Sequence, residues 1–391
     1  MKKWVIVGGG VHGCTLAIYL RKNDLVSIDE LAIIDPHPTP LQSWSSCANA
    51  VGMKFLRSPS VHHIDVAPFS LERFAKKNNW SSSHFLGRFD RPSLELFHAH
   101  SMHSIEENGL RDCFCQAKVK AVNKARGYWE VRLEDGRKMR TEKVVLAMGM
   151  REHTIQPDWA DNEPVSQHVW HIFDEKKRND AGVQPPLAVV GGGVSAVQTA
   201  LKWSRRFPGA VTLIMKKPPE IHTFDSDPGW QGPKYMNQFK KESSYRKRRK
   251  MIREARHKGS IMKDLSIQLT RERKKQTLHT VTGSITGLQK IRDKFTIHLE
   301  SGREIEISSV ILATGFVNRI PGADWLADTI NEESLLCGEC GFPIPKPETL
   351  EWTKGLHVMG ALSELEVGPT ARNIAGARKA AERIASAADF Y

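Results

Sequence analysis

Two short stretches of this chain carry glycines at the spacing that phosphate binding requires. Gly8-Gly9-Gly10-Val11-His12-Gly13 follows the apolar run Trp4–Val7, and Gly191-Gly192-Gly193-Val194-Ser195-Ala196 follows Leu187–Val190. In such a turn the first glycine (Gly8, Gly191) permits the tight bend. The second (Gly10, Gly193) lets backbone approach a pyrophosphate. The third position (Gly13, Ala196) must be small so that strand and helix can pack, and alanine is a permitted variant there. The helix that opens next offers free N–H groups and a positive dipole end to an anion. Two such turns, each between a strand and a helix, predict two bound dinucleotides.

The residues that would meet the riboses differ between the two units. In the first, the run Leu31–Asp35 ends on Asp35, 22 residues past Gly13. A carboxylate there can accept from adenosine ribose hydroxyls; the alternative is a cap on the turn before Pro36. In the second unit, Val211–Met215 is followed by Lys216 and Lys217, with no acid. A carboxylate would repel a 2′-phosphate and a lysine would attract it. The pair therefore points to NADPH over NADH, against the simpler reading of two solvated lysines.

Two further groups could carry chemistry. Cys337-Gly-Glu-Cys340 has the spacing of a redox disulfide or half a zinc site. The other close pair, Cys113 and Cys115, has one intervening residue and lies far away in sequence, so zinc is not expected. Two ordinary cysteines are expected, with a redox pair as the alternative. His98, His100 and His103 lack a second ligand cluster; His100 and His103 are spaced as neighbours on a surface helix. No metal site is expected.

The elements that must position these residues repeat as well. Lys118–Met148 reads strand, turn, strand (Trp129–Glu134), Asp135-Gly136 turn, strand, then the apolar run Val144–Met148. Thr282–Gly315 repeats the order, with Phe295–Glu300, the turn Ser301-Gly302 and the run Val310–Thr314. Asp-Gly and Ser-Gly between alternating apolar runs are hairpin signals. Helices are expected from Cys14 to Leu20 and from Val197 to Trp203. The fold class is α/β: two Rossmann-like dinucleotide-binding domains, each with a three-stranded β-meander.

At 391 residues, with 40% hydrophobic and 26% charged side chains, the chain is globular and of two to three domains. No apolar run approaches the roughly 20 residues of a membrane span. A strand starting at Lys3 leaves no room for a signal peptide, and six cysteines do not make a disulfide framework. A cytoplasmic location is expected. The net charge of +13 is localised: residues 233–275 hold 16 Lys and Arg against 4 Asp and Glu, a net of +12. The densest part, Tyr245–Lys258, is expected to be a helix capped by Ser243 or Ser244, with Tyr245, Ile252 and Ala255 as an apolar face. It reads first as a solvated face, second as a counter-surface for an NADPH phosphate. Nucleic acid is not expected, because no stacking platform accompanies the charge.

The two glycine turns and the two Ala-x-Gly strand ends, Ala147-Met148-Gly149 and Ala313-Thr314-Gly315, resemble the flavoproteins with two dinucleotide-binding domains. Within them the chain is similar to the FAD- and NADPH-dependent monooxygenases: lysine/ornithine N-hydroxylases and flavin-containing monooxygenases. The resemblance covers nearly the whole chain. It implies an FAD-binding part at residues 1–155, an NAD(P)-binding domain at 156–318 with a connector at 156–185, and a return to the FAD domain at 319–391. It places FAD at Gly8, Gly10, Gly13 and Asp35, with Trp44 in an insert (36–110) where relatives build flavin and substrate contacts, and with Ala147 and Gly149. It places NADP at Gly191, Gly193, Ala196, Lys216, Lys217, Thr314 and Gly315.

Leu356–Gly360 resembles the strand before the flavin ribitol contact, with Ala361 where the family has Asp. Gly368–Ile374 resembles the entry of the helix that faces the flavin, so Gly360, Ala361, Thr370 and Ala371 join the FAD set. Val165–Phe173 resembles the shorter His-based mark of the N-hydroxylases and lacks the Phe-x-Gly of the other subclasses; His168 is its candidate catalytic residue. The resemblance implies NADPH reducing FAD, then oxygen transfer from O₂ through a C4a-(hydro)peroxyflavin to a small amine or amino-acid-like substrate. One alternative is an NAD(P)H-dependent reductase passing electrons to a disulfide or protein partner. Another is a flavin-bound regulatory or nucleic-acid-associated protein using the 245–258 helix. Nothing in the sequence sets an oligomeric state.

Overall fold

The structure is a computed structural model that describes residues 1–160, 168–178, 180–291 and 294–386. Its first sheet is built around the strand Lys2–Val7, which lies parallel between Leu31–Asp35 and Lys138–Leu146. Val5 and Ile6 are both fully buried, one toward each face. A parallel strand covered on both sides needs such a continuous apolar run. Phe114–Gln116 adds beyond Leu31–Asp35. On the other side Leu356–Val358 pairs with Lys138–Leu146, so the end of the chain completes the sheet that its beginning started. The helix Val11–Lys22 packs on the C-terminal helix Ile374–Ser386 through Leu16, Leu20, Ala377 and Ala381.

The second sheet is all parallel, in the order His279–Thr282, Val211–Met215, Leu187–Val190, Ser309–Leu312, Val169–His171. Its outer strand comes from the stretch 156–185, which the sequence marks only as a connector. Three residues are too few for a periodic signal, but Val169, Trp170 and His171 are all buried.

The two meanders differ. In the first, the third strand does not end before the buried run: Lys138–Leu146 pairs with Tyr128–Leu133 at its start and with Lys2–Val7 from Thr141 onward. One nine-residue strand thus merges meander and parallel strands into an eight-stranded sheet. In the second, Glu304–Ile307 and Ser309–Leu312 are separate strands, and Ile285–Ile291, Lys294–Leu299 and Glu304–Ile307 form their own sheet. The break falls at Ser308, whose N–H donates to the Pro186 carbonyl at 2.7 Å instead of to a neighbouring strand.

Both nucleotide helices begin earlier than the sequence suggests, at Val11 and Val194, immediately after the second glycine of each turn, and run to Lys22 and Arg206. In the insert, Ser93 caps the helix Leu94–Glu107 by accepting from the Leu96 N–H. Its histidines do not share one environment. His98 and His103 are exposed, while His100 is turned in, beside Ser70 and the ring of His63. Among the described residues no group of His, Cys, Asp and Glu could hold a metal ion, and no helix is long and apolar enough to cross a membrane.

Candidate dinucleotide sites and the cavity beside them

The first glycine turn is built to tolerances that only glycine meets. Gly8 has φ +113°, and a Cβ there would stand 2.6 Å from the Ala147 carbonyl oxygen. A Cβ on Gly13 would collide with the Gly8 carbonyl oxygen, which is how closely helix meets strand. Gly10 faces open space and caps the helix without a side-chain hydrogen bond, leaving the helix N–H groups available. These features fit a pyrophosphate.

Asp35 lies at the strand end with only 9% of its surface exposed. Its Oδ2 accepts from the Gly9 N–H at 2.7 Å, and its Oδ1 accepts from the His37 N–H at 2.9 Å. Asp35 therefore holds the phosphate turn and caps the bend before Pro36 at once; a lone pair on Oδ2 remains for a ribose hydroxyl. The His37 ring bridges Asp35 and Glu175 at 2.7 and 3.0 Å, and Glu175 continues to Arg151 at 2.6 Å. Burial works against its charge, but His37 and Arg151 outweigh that and bring Glu175 down to about 2.

The C-terminal segment closes on this turn through a residue the sequence reading did not single out. His12, inside the glycine motif, donates from Nε2 to the Ala371 carbonyl at 2.8 Å, and its ring lies 3.4 Å from where a Cβ on Gly360 would stand. Burial lowers the His12 pKa, which keeps the ring neutral. Gly8, Gly10, His12, Gly360 and Ala371 are thus neighbours although up to 363 residues separate them. Thr370 is fully buried and its hydroxyl has no partner among the described residues, a donor that a bound group could use. Ala361 packs with Met236, Phe239 and Phe342, so its side chain contributes apolar contact only. Trp44 sits on the helix Gln42–Val51, half-buried, with its ring 5.0 Å from that of Phe97. Gly149 is exposed past the strand end.

The second turn repeats the strain: Gly191 has φ +146° and a Cβ there would collide with the Ala313 carbonyl oxygen. Gly193 caps the helix Val194–Arg206, again without a side-chain bond. Here, however, the turn opens onto a cavity of about 1610 Å³. Of the expected NADP residues, Gly191, Gly193, Lys216, Lys217, Thr314 and Gly315 line it, whereas Ala196 is buried in the helix. Lys217 pairs with Glu220 at 2.7 Å.

The far wall of the cavity holds a carboxylate that sequence alone gave no reason to notice. Glu364 has no exposed side-chain surface and receives Arg249, Arg372 (Nε at 2.7 Å) and Arg256 (3.6 Å). Burial pushes its pKa up, but the three guanidiniums together hold it below the ordinary carboxylate range. Burial and the neighbouring Arg372 bring Arg256 down to about 10, still protonated at neutral pH. Alongside, Arg248 pairs with the buried Glu366 at 2.6 Å.

These contacts correct the reading of the basic segment as a solvated face. Ser244 caps a helix that runs Tyr245–Ala255, ending before Lys258. Its inward face is Ile252 with Tyr245, as expected, joined by Arg248 and Arg249, whose charge is neutralised by buried glutamates; the Tyr245 hydroxyl also donates to Glu366 at 2.9 Å.

His168 is not brought to either turn. It is exposed, its ring lies tilted 4.9 Å from that of Phe295, and its carbonyl accepts from the Val310 N–H. The register of the edge strand points His171 inward instead, beside Phe173 and Phe316. Val165–Gln167 of the same motif lie outside the described residues. Cys337 and Cys340 are unpaired and half-buried; the Cys340 sulfur accepts from Arg249 Nε at 3.3 Å, and burial raises the Cys337 thiol pKa. A raised pKa withholds the thiolate that disulfide exchange needs.

The sequence profile of the pyridine nucleotide-disulphide oxidoreductases matches residues 2–229, from the first strand past the second glycine turn. The chain belongs to the pyridine nucleotide-disulphide oxidoreductase family. No curated protein matches the sequence. Among solved structures, the FAD-bound cadaverine monooxygenase of Erwinia amylovora superposes with a TM-score of 0.78 at 13% identity, over 100% of this chain and 95% of that one. The ornithine hydroxylase of Pseudomonas aeruginosa gives 0.77 at 16%, over 99% and 98%. The bacillithiol disulfide reductase of Staphylococcus aureus gives 0.62 at 16%, over 99% and 97%. At these identities the likeness establishes a shared fold across the length of each chain. The same pyridine nucleotide-disulphide oxidoreductase fold serves all three chemistries, so activity must be argued from the site.

Proposed function

We propose that this chain is an FAD-dependent, NADPH-using monooxygenase that hydroxylates the nitrogen of a small amine or amino-acid-like substrate with O₂. The observation that carries this reading is the pair of glycine turns, one closed by the returning chain and one open on a basic cavity, set in a fold that agrees over its whole length with a cadaverine monooxygenase and an ornithine hydroxylase. The unpaired cysteines add to it. Burial holds Cys337 as a thiol, so the pair is poorly set for disulfide exchange.

Bound FAD supplies hydride acceptance and oxygen activation. The chain's part is to hold and to exclude. Gly8–Gly13 and the helix they open would hold the flavin pyrophosphate, Asp35 the adenosine ribose, and the Gly360 and Thr370–Ala371 segments the flavin end. Gly191, Gly193 and the helix Val194–Arg206 would hold the NADPH pyrophosphate, with Lys216 toward the 2′-phosphate. Glu364 and its arginines fix a wall of the cavity at the second turn. The six unpaired cysteines suit a reducing compartment, and we place the enzyme in the cytoplasm.

The test is product formation. FAD-loaded protein is given NADPH, air and a panel of diamines and basic amino acids, and hydroxylamine is measured against NADPH consumed. At least one substrate should give hydroxylamine in step with NADPH. If NADPH is consumed without hydroxylamine for every amine, while a disulfide is reduced without oxygen, the reductase reading replaces this one.

A further inference from the structure

The cavity at the second glycine turn is more basic than its fingerprint requires. Eight of its lining residues are Lys or Arg and two are Asp or Glu. Glu364 already faces three of those arginines, so the surplus is positive and it falls elsewhere on the wall. Part of it belongs to the end of the basic helix Tyr245–Ala255 and the loop that leaves it. Arg253 and Lys258 line the cavity, are exposed, and have no ion-pair partner among the described residues.

This loop runs beside the phosphate turn. The Gly259 Cα lies 3.7 Å from where a Cβ on Gly193 would stand, and Gly259 itself has φ +73°, a left-handed conformation that favours glycine. The next residues, Ser260 and Ile261, pair with Glu220 and Ile221, just past Lys216 and Lys217. The two cationic segments are therefore tied together at one mouth. The helix is also held in place from behind. Arg248 is pinned by Glu366, Arg249 by Glu364, and Arg256 donates to the Pro369 carbonyl at 3.1 Å. With that face fixed, the outward cations are presented to the cavity at little ordering cost.

We infer that Arg253 and Lys258 form, with Lys216, a clamp outside the glycine fingerprint that binds the phosphates of the dinucleotide held at Gly191–Ser195. The clamp rests on the proposed use of the second turn for NADPH; it does not depend on the oxygen chemistry. It also explains why so much of the chain's positive charge is gathered within this domain. A nucleic-acid site would need exposed aromatic or base-reading groups along the same face.

The experiment is a calorimetric titration of the FAD-loaded protein with NADP⁺ at two salt concentrations. The double variant Arg253→Glu/Lys258→Glu should weaken NADP⁺ binding by about tenfold or more and flatten its salt dependence. Arg253→Gln/Lys258→Gln should move it the same way by less. Lys250→Glu, on the same helix but outside the cavity, changes the charge without touching the clamp and should stay within about twofold. Wild-type affinity in the double variant, or an equal loss in Lys250→Glu, overturns the clamp. So does a wild-type protein that binds RNA or DNA but not NADP⁺. A protein that binds NADP⁺, loses it in the variant and yet makes no hydroxylamine keeps the clamp and loses the proposed reaction.

Discussion

The two glycine turns are near copies in sequence and lie in different surroundings. The first is gripped from several directions: Asp35 and Leu41 bond Gly9, the Ala147 carbonyl abuts Gly8, and His12 reaches Ala371 on the returning chain. Its helix is covered by the C-terminal helix, and the segments Gly360–Ala361 and Thr370–Ala371 are buried. The second turn opens on a wide basic cavity, where the returning chain contributes only a wall, through Glu364 and Arg372. A fingerprint sets how a phosphate is met; the rest of the chain sets whether the bound group can leave. The enclosed turn suits a resident cofactor and the open one a coenzyme that exchanges each cycle.

The strongest way to break this contrast is Glu364→Ala. Removing a buried carboxylate that faces three arginines leaves those charges unpaired, and about 3–5 kcal/mol of stability should be lost in urea unfolding. A loss under about 1 kcal/mol would show that the wall is held by packing alone.

Acid should loosen the enclosed half next. Burial is the main cause that brings His63 down to about 3 and His100 to about 4, so both are neutral in the folded protein. Their contribution is complete above the ordinary histidine pKa near 6.5 and is lost as pH falls toward the folded values, at up to about 1.4 kcal/mol per pH unit for each. Urea midpoints should drop between pH 7 and pH 5; a flat profile would mean that the histidines are already solvated.

Gly13→Ala and Ala196→Gly probe the same position in the two units. The first forces a methyl onto the Gly8 carbonyl and should cost about 1–3 kcal/mol. The second removes a methyl the helix already accommodates and should cost about 1 kcal/mol, through helix propensity and lost packing. Equal costs would erase the distinction between a tight and a relaxed turn. Between these in effect, Lys216→Glu should raise the KM for NADPH about tenfold, roughly 1.4 kcal/mol, and spare NADH; equal changes for both coenzymes would remove Lys216 from the 2′-phosphate.

What the sequence by itself determined follows from local rules. The first glycine of each turn is legible because sterics admit nothing else at φ +113° and +146°. The hairpins are legible because Asp135-Gly136 and Ser301-Gly302 supply the backbone their turns need. The acid-for-lysine exchange after the second strand of each unit, Asp35 against Lys216 and Lys217, is legible from charge alone. Tertiary structure decided the rest, because it depends on residues that meet from far apart. Arg249 finds Glu364 across 115 positions and His12 finds Ala371 across 359, and no local pattern marks either pair. The same long-range register turned His171 rather than His168 inward, made an edge strand of Val169–His171, and turned one face of the basic helix into an interior one. Periodicity and turn chemistry act within a few residues, whereas buried charge is tolerated only where another part of the chain arrives to neutralise it.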